Sequence, residues 1–225
     1  MSLAPKIDEV RSVVQDENVD LVCVTETWLR EHIENNIINI SGYNIIRRNR
    51  VESQHGGVCI YVRNSIHFTV LDTIMDQNFE VLWIKLRPNQ LPRGISSIII
   101  GIVYHPQSAN DQMMKTYLYD SLSNIEAQYP DSGIIVLGDF NQLNIARLKY
   151  SFSVKQIVPF PTRGKNKLDL ILTNLSLLYD TPMKFPFLAY QTMIASSFNH
   201  FSVKKSQSVK YLLSSEILDQ PNDWR

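Results

Sequence analysis

The sequence predicts an α+β protein in which two β-sheets pack face to face and helices flank them. Three observations carry this. Apolar strand-like runs outnumber helical periods, several follow one another with no helix between them, and residues 98–104 form the most apolar run of all. That run reads as a central strand buried on both faces. Strands that succeed one another without crossovers imply much antiparallel pairing, which suits a two-sheet sandwich better than a doubly wound parallel sheet.

At 225 residues the chain is most simply one domain, residues 1–205, followed by a polar tail or linker over 206–225. Lys+Arg 22 against Asp+Glu 22 leaves no net charge. Nucleic-acid binding would therefore rest on local clusters such as Arg47, Arg48 and Arg50, or Arg163, Lys165 and Lys167, which read equally well as solvated surface. Cys23 and Cys59 each sit inside an apolar run without metal-ligand spacing, as small core residues do in a reducing compartment. The first six residues lack the apolar core of a signal peptide, and no run is long enough to span a membrane. An intracellular protein is expected.

In chain order, residues 5–17 read as a helix, with Pro5 at its start and Ile7, Val10, Val13 and Val14 on one face. Residues 21–24 are a short apolar strand running into Thr25-Glu26-Thr27-Trp28-Leu29. Residues 43–47, 58–62 and 81–86 continue the strands, separated by turns at Ser41-Gly42 and Gln54-His55-Gly56-Gly57. Residues 87–94, with Pro88, Pro92 and Gly94, connect to the central strand, which ends on Tyr104-His105-Pro106. Met114, Tyr117, Leu118, Leu122 and Ile125 place the longest helix over 111–129, stopped by Pro130.

Residues 134–137 form the next strand, and Gly138 then allows a sharp turn before Asp139 and Asn141. If the chain stays extended there, Asp139 and Asn141 point the same way. A turn or a phosphate or metal site both fit this stretch. Residues 145–157 contain a short helix, 159–164 a loop, and 167–172 a strand with Asp169 inside its apolar run. No period is visible over 179–190; residues 197–203 read as a last strand, with a surface helix or loose tail beyond Lys204.

Glu26, Tyr104, Asp139 with Asn141, Asp169 and His200 all fall at or near strand ends. A carboxylate in oxygen-only company suits magnesium, which keeps most of its waters. A histidine with a nearby carboxylate gives an oriented imidazole, and tyrosine and asparagine supply neutral donors to an anionic oxygen. This inventory matches phosphodiester hydrolysis by water. The chain has no G-x-S-x-G elbow, P-loop, Rossmann glycine fingerprint or H-E-x-x-H pair, which removes the main rival chemistries.

The runs Thr25-Glu-Thr-Trp-Leu29, Gly56-Gly-Val-Cys-Ile-Tyr-Val62, Tyr104-His-Pro106, Gly138-Asp-Phe-Asn141, Leu168-Asp-Leu-Ile-Leu-Thr-Asn174 and Asn199-His200 come in a telling order. It resembles that of the endonuclease/exonuclease/phosphatase superfamily, and most of all the endonuclease domain of non-LTR (LINE-type) retrotransposons. The resemblance covers residues 5–204 and implies a four-layer α/β/β/α, deoxyribonuclease-I-like fold. It implies a Mg2+-dependent DNA-nicking enzyme, with Mn2+ as the alternative ion and a reverse transcriptase domain in the parent element. Nuclear placement follows if the target is genomic DNA.

Carried over by position, Glu26 binds the metal and Asp139 orients or deprotonates the attacking water. Asn141 and Tyr104 hold the phosphate, His200 stabilises charge on its oxygens, and Asp169 fixes the His200 tautomer. Thr162 and Arg163 contact the DNA backbone. The chain departs from the pattern twice. A first strand carrying a metal-site asparagine is absent ahead of residue 5, and Asn199 stands where the family has an aspartate. The first departure is expected to expose a sheet edge or leave the sheet incomplete, and the second to remove a charge from the cation site. Weakened or lost activity is the expectation. The alternatives are a non-catalytic relic that binds DNA or protein, and a phosphatase of the same superfamily.

Overall fold

A computed structural model describes residues 3–50, 55–178, 182–184, 193–196 and 212–213. In chain order its strands are β1 (Leu21–Thr25), β2 (Tyr43–Arg48), β3 (Val58–Arg63), β4 (His67–Val70), β5 (Glu80–Arg87) and β6 (Ser97–Tyr104). They continue as β7 (Ser132–Asp139), β8 (Lys155–Gln156), β9 (Asp169–Thr173), β10 (Met183–Lys184), β11 (Met193–Ser196) and β12 (Leu212–Leu213). The α-helices are α1 (Ile7–Asp16), α2 (Asp111–Gln128) and α3 (Ala146–Ser151).

Two sheets form the sandwich, one of four strands in the order β11-β1-β3-β2 and one of six in the order β4-β5-β6-β7-β9-β8. All neighbours are antiparallel except β6 and β7, which run parallel because α2 makes the crossover between them. The inner faces meet in one core: Leu21, Cys23, Ile60 and Val62 from the smaller sheet against Ile84, Ile100, Ile102, Leu137 and Ile171 from the larger. The outer faces are covered separately. Ile7, Val10, Val13 and Val14 of α1 pack on Val22, Val24 and Tyr61. Met114, Leu118, Leu122 and Ile125 of α2 pack on Trp83, Ile99, Val103, Ile134 and Val136. The layers are therefore α/β/β/α, as expected.

Local signals explain most boundaries. The α1 face is the expected one, although the segment at Pro5 is a 3-10 turn, Ala4–Lys6, rather than the first α-turn. Asn110 caps α2, its side chain accepting from the Gln112 and Met113 amides at 2.9 and 3.1 Å. Gly101 lies opposite Trp83 on β5, and a Cβ there would sit 2.2 Å from the indole ring, so the central strand needs a glycine at that point.

Four expectations change. Residues 67–70 form a strand missed in the sequence: His67 and Thr69 are exposed while Phe68 and Val70 pack on the core, an alternation only four residues long. Asp169 opens β9 instead of lying within it, placing the acid at the strand's end. Against the expectation of an exposed edge or an incomplete sheet, β1 is no edge strand: it pairs with β3 on one side and β11 on the other. Beyond Lys204, Leu212–Leu213 pairs in parallel with β10. The last strand expected over 197–203, with Asn199 and His200, lies outside the described residues. Both cysteines are buried and unbonded, and no helix among the described residues is long and apolar enough to cross a membrane.

Candidate active site

Strand register builds the site. Glu80 pairs with Tyr104, Tyr104 with Asp139, and Asp139 with Asp169, so one row crosses β5, β6, β7 and β9. Paired residues share a face of the sheet, and Tyr104 belongs to the core between the sheets. The row therefore looks inward at the open end of the sandwich, facing the end of β1, where Glu26 stands. The Tyr104 hydroxyl donates to the Glu26 carboxylate. Burial first, then the negative charge and hydrogen bond of Glu26, hold the phenol far above its ordinary range, and Asp139 and Glu80 add to this.

Asp139 is fully buried, at 0% exposure. Its Oδ1 accepts from the Asn141 amide at 2.9 Å, and its Oδ2 from Nη2 of Arg163 at 3.2 Å. Burial raises its carboxyl above the usual aspartate value; the Arg163 charge and the Asn141 amide pull it back, and Glu26 raises it again. The chain does not stay extended as far as Asn141, whose φ of 48° turns it left-handed. Asp139 and Asn141 meet through that turn, a conformation asparagine tolerates well. Just before it, Gly138 lets β7 run close against β6: a Cβ there would lie 2.0 Å from the Val103 carbonyl oxygen, at a φ of +134°.

The Asn141 amide is held at both ends by the segment after β6. Its Nδ2 donates to the His105 carbonyl at 2.7 Å, and its Oδ1 accepts from Gln107 Nε2 at 3.4 Å. His105 is buried, with Nε2 2.8 Å from Asp111 Oδ1. Thr162 is buried as well. Its hydroxyl accepts from the Leu168 and Asp169 amides, both at 3.0 Å, which fixes the start of β9. Asp169 is buried beside Asp139.

Of the residues expected from sequence, Glu26, Tyr104, Asp139, Asn141, Asp169, Thr162 and Arg163 come together, whereas Asn199 and His200 lie outside the described residues. Arg163, grouped with Lys165 and Lys167 as a surface cluster, turns inward to Asp139. Arg50, grouped with Arg47 and Arg48, pairs with Glu80 at 3.0 Å. Glu80 and Gln107 were missed. Glu80 carried the same signal as Glu26, an acid at a strand end, but only β5–β6 pairing shows that it faces the site. Gln107 carried none.

Among the described residues no three His, Cys, Asp or Glu side chains group at metal-binding spacing. The donor chemistry nevertheless fits a hard divalent cation. Magnesium needs only one or two carboxylates, and Glu26 raises the proton affinity of both Asp139 and Glu80, a repulsion that a cation would relieve.

The fold is thus a helix-flanked double sheet with acids and a phenol aligned along its inner rim. The chain belongs to the Endonuclease/Exonuclease/phosphatase family, whose sequence profile matches residues 1–183. Members of that family are hydrolytic phosphodiesterases and generally use divalent metals. No curated protein matches the chain. Among solved structures it is similar to the AP endonuclease LMAP from Leishmania major, at 13% identity and TM-score 0.60 over 76% of this chain and 74% of that one. It is also similar to the endonuclease domain of TRAS1, a telomere-specific non-LTR retrotransposon, at 11% identity and TM-score 0.55 over 79% and 82%. The human Nocturnin catalytic domain with bound sulfate follows at 14% identity and TM-score 0.51 over 77% and 78%. At these identities the likeness establishes the fold.

Proposed function

We propose that this chain is a DNA-nicking phosphodiesterase domain of the retrotransposon type, with activity weakened in this copy. The observation that carries the reading is the Glu80–Tyr104–Asp139–Asp169 row with Glu26 opposite it. Asp139, buried at the end of β7, orients the attacking water and takes its proton. Asn141, its amide fixed by His105 and Gln107, donates to the scissile phosphate. Tyr104, kept neutral by burial and Glu26, turns its one O–H from the Glu26 carboxylate to the phosphate when substrate binds. His200 stabilises the charge developing on the phosphoryl oxygens, with Asp169 setting its tautomer. Arg163 contacts the phosphate backbone from the rim, and Thr162 positions Asp169 from within.

Glu26, with Asn199, would hold Mg2+ (Mn2+ in its place), which when bound neutralises charge on the phosphate. An amide at 199 in place of a carboxylate weakens that hold, and this is the reason for reduced activity. DNA is the partner this reading requires, with a reverse transcriptase domain in a parent element as the second. The test is nicking of supercoiled plasmid in Mg2+. Slow nicking that Asp139→Ala abolishes and Asn199→Asp accelerates is expected. DNA binding with no nicking, by the wild type or by Asn199→Asp, would replace this reading with the non-catalytic one.

A further inference from the structure

Glu26 has a left-handed backbone, φ 52°, and so has Trp28 two residues on. For residues with a Cβ this conformation is strained and persists only where neighbours hold it. Here the amides that follow Glu26 are held by one turn. Thr27 N–H donates to the Gly57 carbonyl at 3.2 Å, and Trp28 N–H to the Gly56 carbonyl at 2.8 Å. The turn is held in its own right by a carboxylate. Glu80 Oε2 accepts from the Gly57 amide, while Oε1 pairs with Arg50 Nε at 3.0 Å. The Glu80 side chain is only 13% exposed.

Both glycines are needed for this contact. A Cβ on Gly56 would stand 2.4 Å from Glu80 Oε2, and one on Gly57 would stand 2.7 Å from Thr27 Oγ1. Their φ values of +110° and +84° are in the region that favours glycine. Glu80 is also the register partner of Tyr104, whose hydroxyl donates to Glu26. One pair of residues on β5 and β6 thus grips the Glu26 loop twice: Tyr104 holds its carboxylate, and Glu80 holds its backbone through the glycine turn.

We propose that Glu80, tied down by Arg50, is a positioning residue that sets the Glu26 carboxylate for cation binding through the Gly56–Gly57 turn; this rests on the reading of Glu26 as the cation ligand. Supporting groups of this kind change metal affinity by about 10- to 100-fold when removed.

Two measurements on the full chain test this. Amide hydrogen exchange at Thr27 and Trp28 reads the strut itself, and Mn2+ binding, followed by its paramagnetic signal, reads its effect on the site. In Glu80→Ala both amides exchange faster and Mn2+ binds at least about tenfold more weakly. Glu80→Gln, which keeps an acceptor for Gly57 N–H, retains most of the affinity. Unchanged exchange in Glu80→Ala would overturn the proposal, as would faster exchange with wild-type Mn2+ affinity. Should Glu80→Ala not fold, Arg50→Met must loosen the same two amides, and failure to do so overturns it equally. A wild type that binds no Mn2+ would refute the cation reading instead, leaving the strut to stand or fall on exchange alone.

Discussion

Replacing Arg163 by alanine removes the one cation paired, among the described residues, with the buried Asp139 carboxylate, a contact of 3.2 Å from a side chain that is 31% exposed. A hydrogen bond to a charged group contributes about 1.5–3 kcal/mol, and breaking a fully buried pair costs about 3–5 kcal/mol. The long contact and the part-exposed guanidinium place this pair at the low end, about 1.5 kcal/mol. That equals roughly one unit of pKa, so the Asp139 carboxyl, already raised by burial, rises further in the variant. The pH dependence follows. Burial alone makes Asp139 favour the fold only while protonated, an advantage lost as pH rises through its raised folded pKa. Arg163 acts the other way: its contribution exists above that pKa and vanishes as pH falls through it. Arg163→Ala should therefore cost about 1.5 kcal/mol near neutral pH, a Tm loss of roughly 3–6 °C, and almost nothing on the acid side of the ordinary aspartate value, about 3.9. Urea unfolding at both pH values, with the same substitution in an Asp139→Asn background, gives the coupling directly. A neutral-pH coupling under about 0.5 kcal/mol, or one that persists in acid, would refute the reasoning.

Two further outcomes can be checked with the same protein. Gly101→Ala drives a methyl into the Trp83 ring, 2.2 Å away, so stability should fall by about 1–3 kcal/mol with a shift in tryptophan emission; an unshifted spectrum and wild-type stability would contradict the packing described. Divalent cation binding should raise thermal stability: at a hundred times its Kd, Mn2+ adds about 2.7 kcal/mol, and Glu26→Gln should abolish most of the gain in a calorimetric scan.

Periodicity and punctuation made much of the fold legible in the sequence. The α1 face, the buried run of β6 and the span of α2 could be read because local hydrophobic spacing and terminal residues determine them. Strand β4 was not read, since its alternation of His67 and Thr69 with Phe68 and Val70 spans only four residues. Asp139 with Asn141 was visible as a pair, but the left-handed turn that joins them was not, because Asn141 is held there by His105 and Gln107 from the segment after β6.

Chemistry-bearing residue types at strand ends, and their order along the chain, are properties of the sequence by itself. Convergence belongs to tertiary structure alone. Register sets Glu80, Tyr104, Asp139 and Asp169 in one row, and packing of the second sheet brings Glu26 to it. The physical reason is that strand pairing and burial couple residues far apart in the chain. A side chain's partner, protonation and strain are therefore set by neighbours that no local window contains.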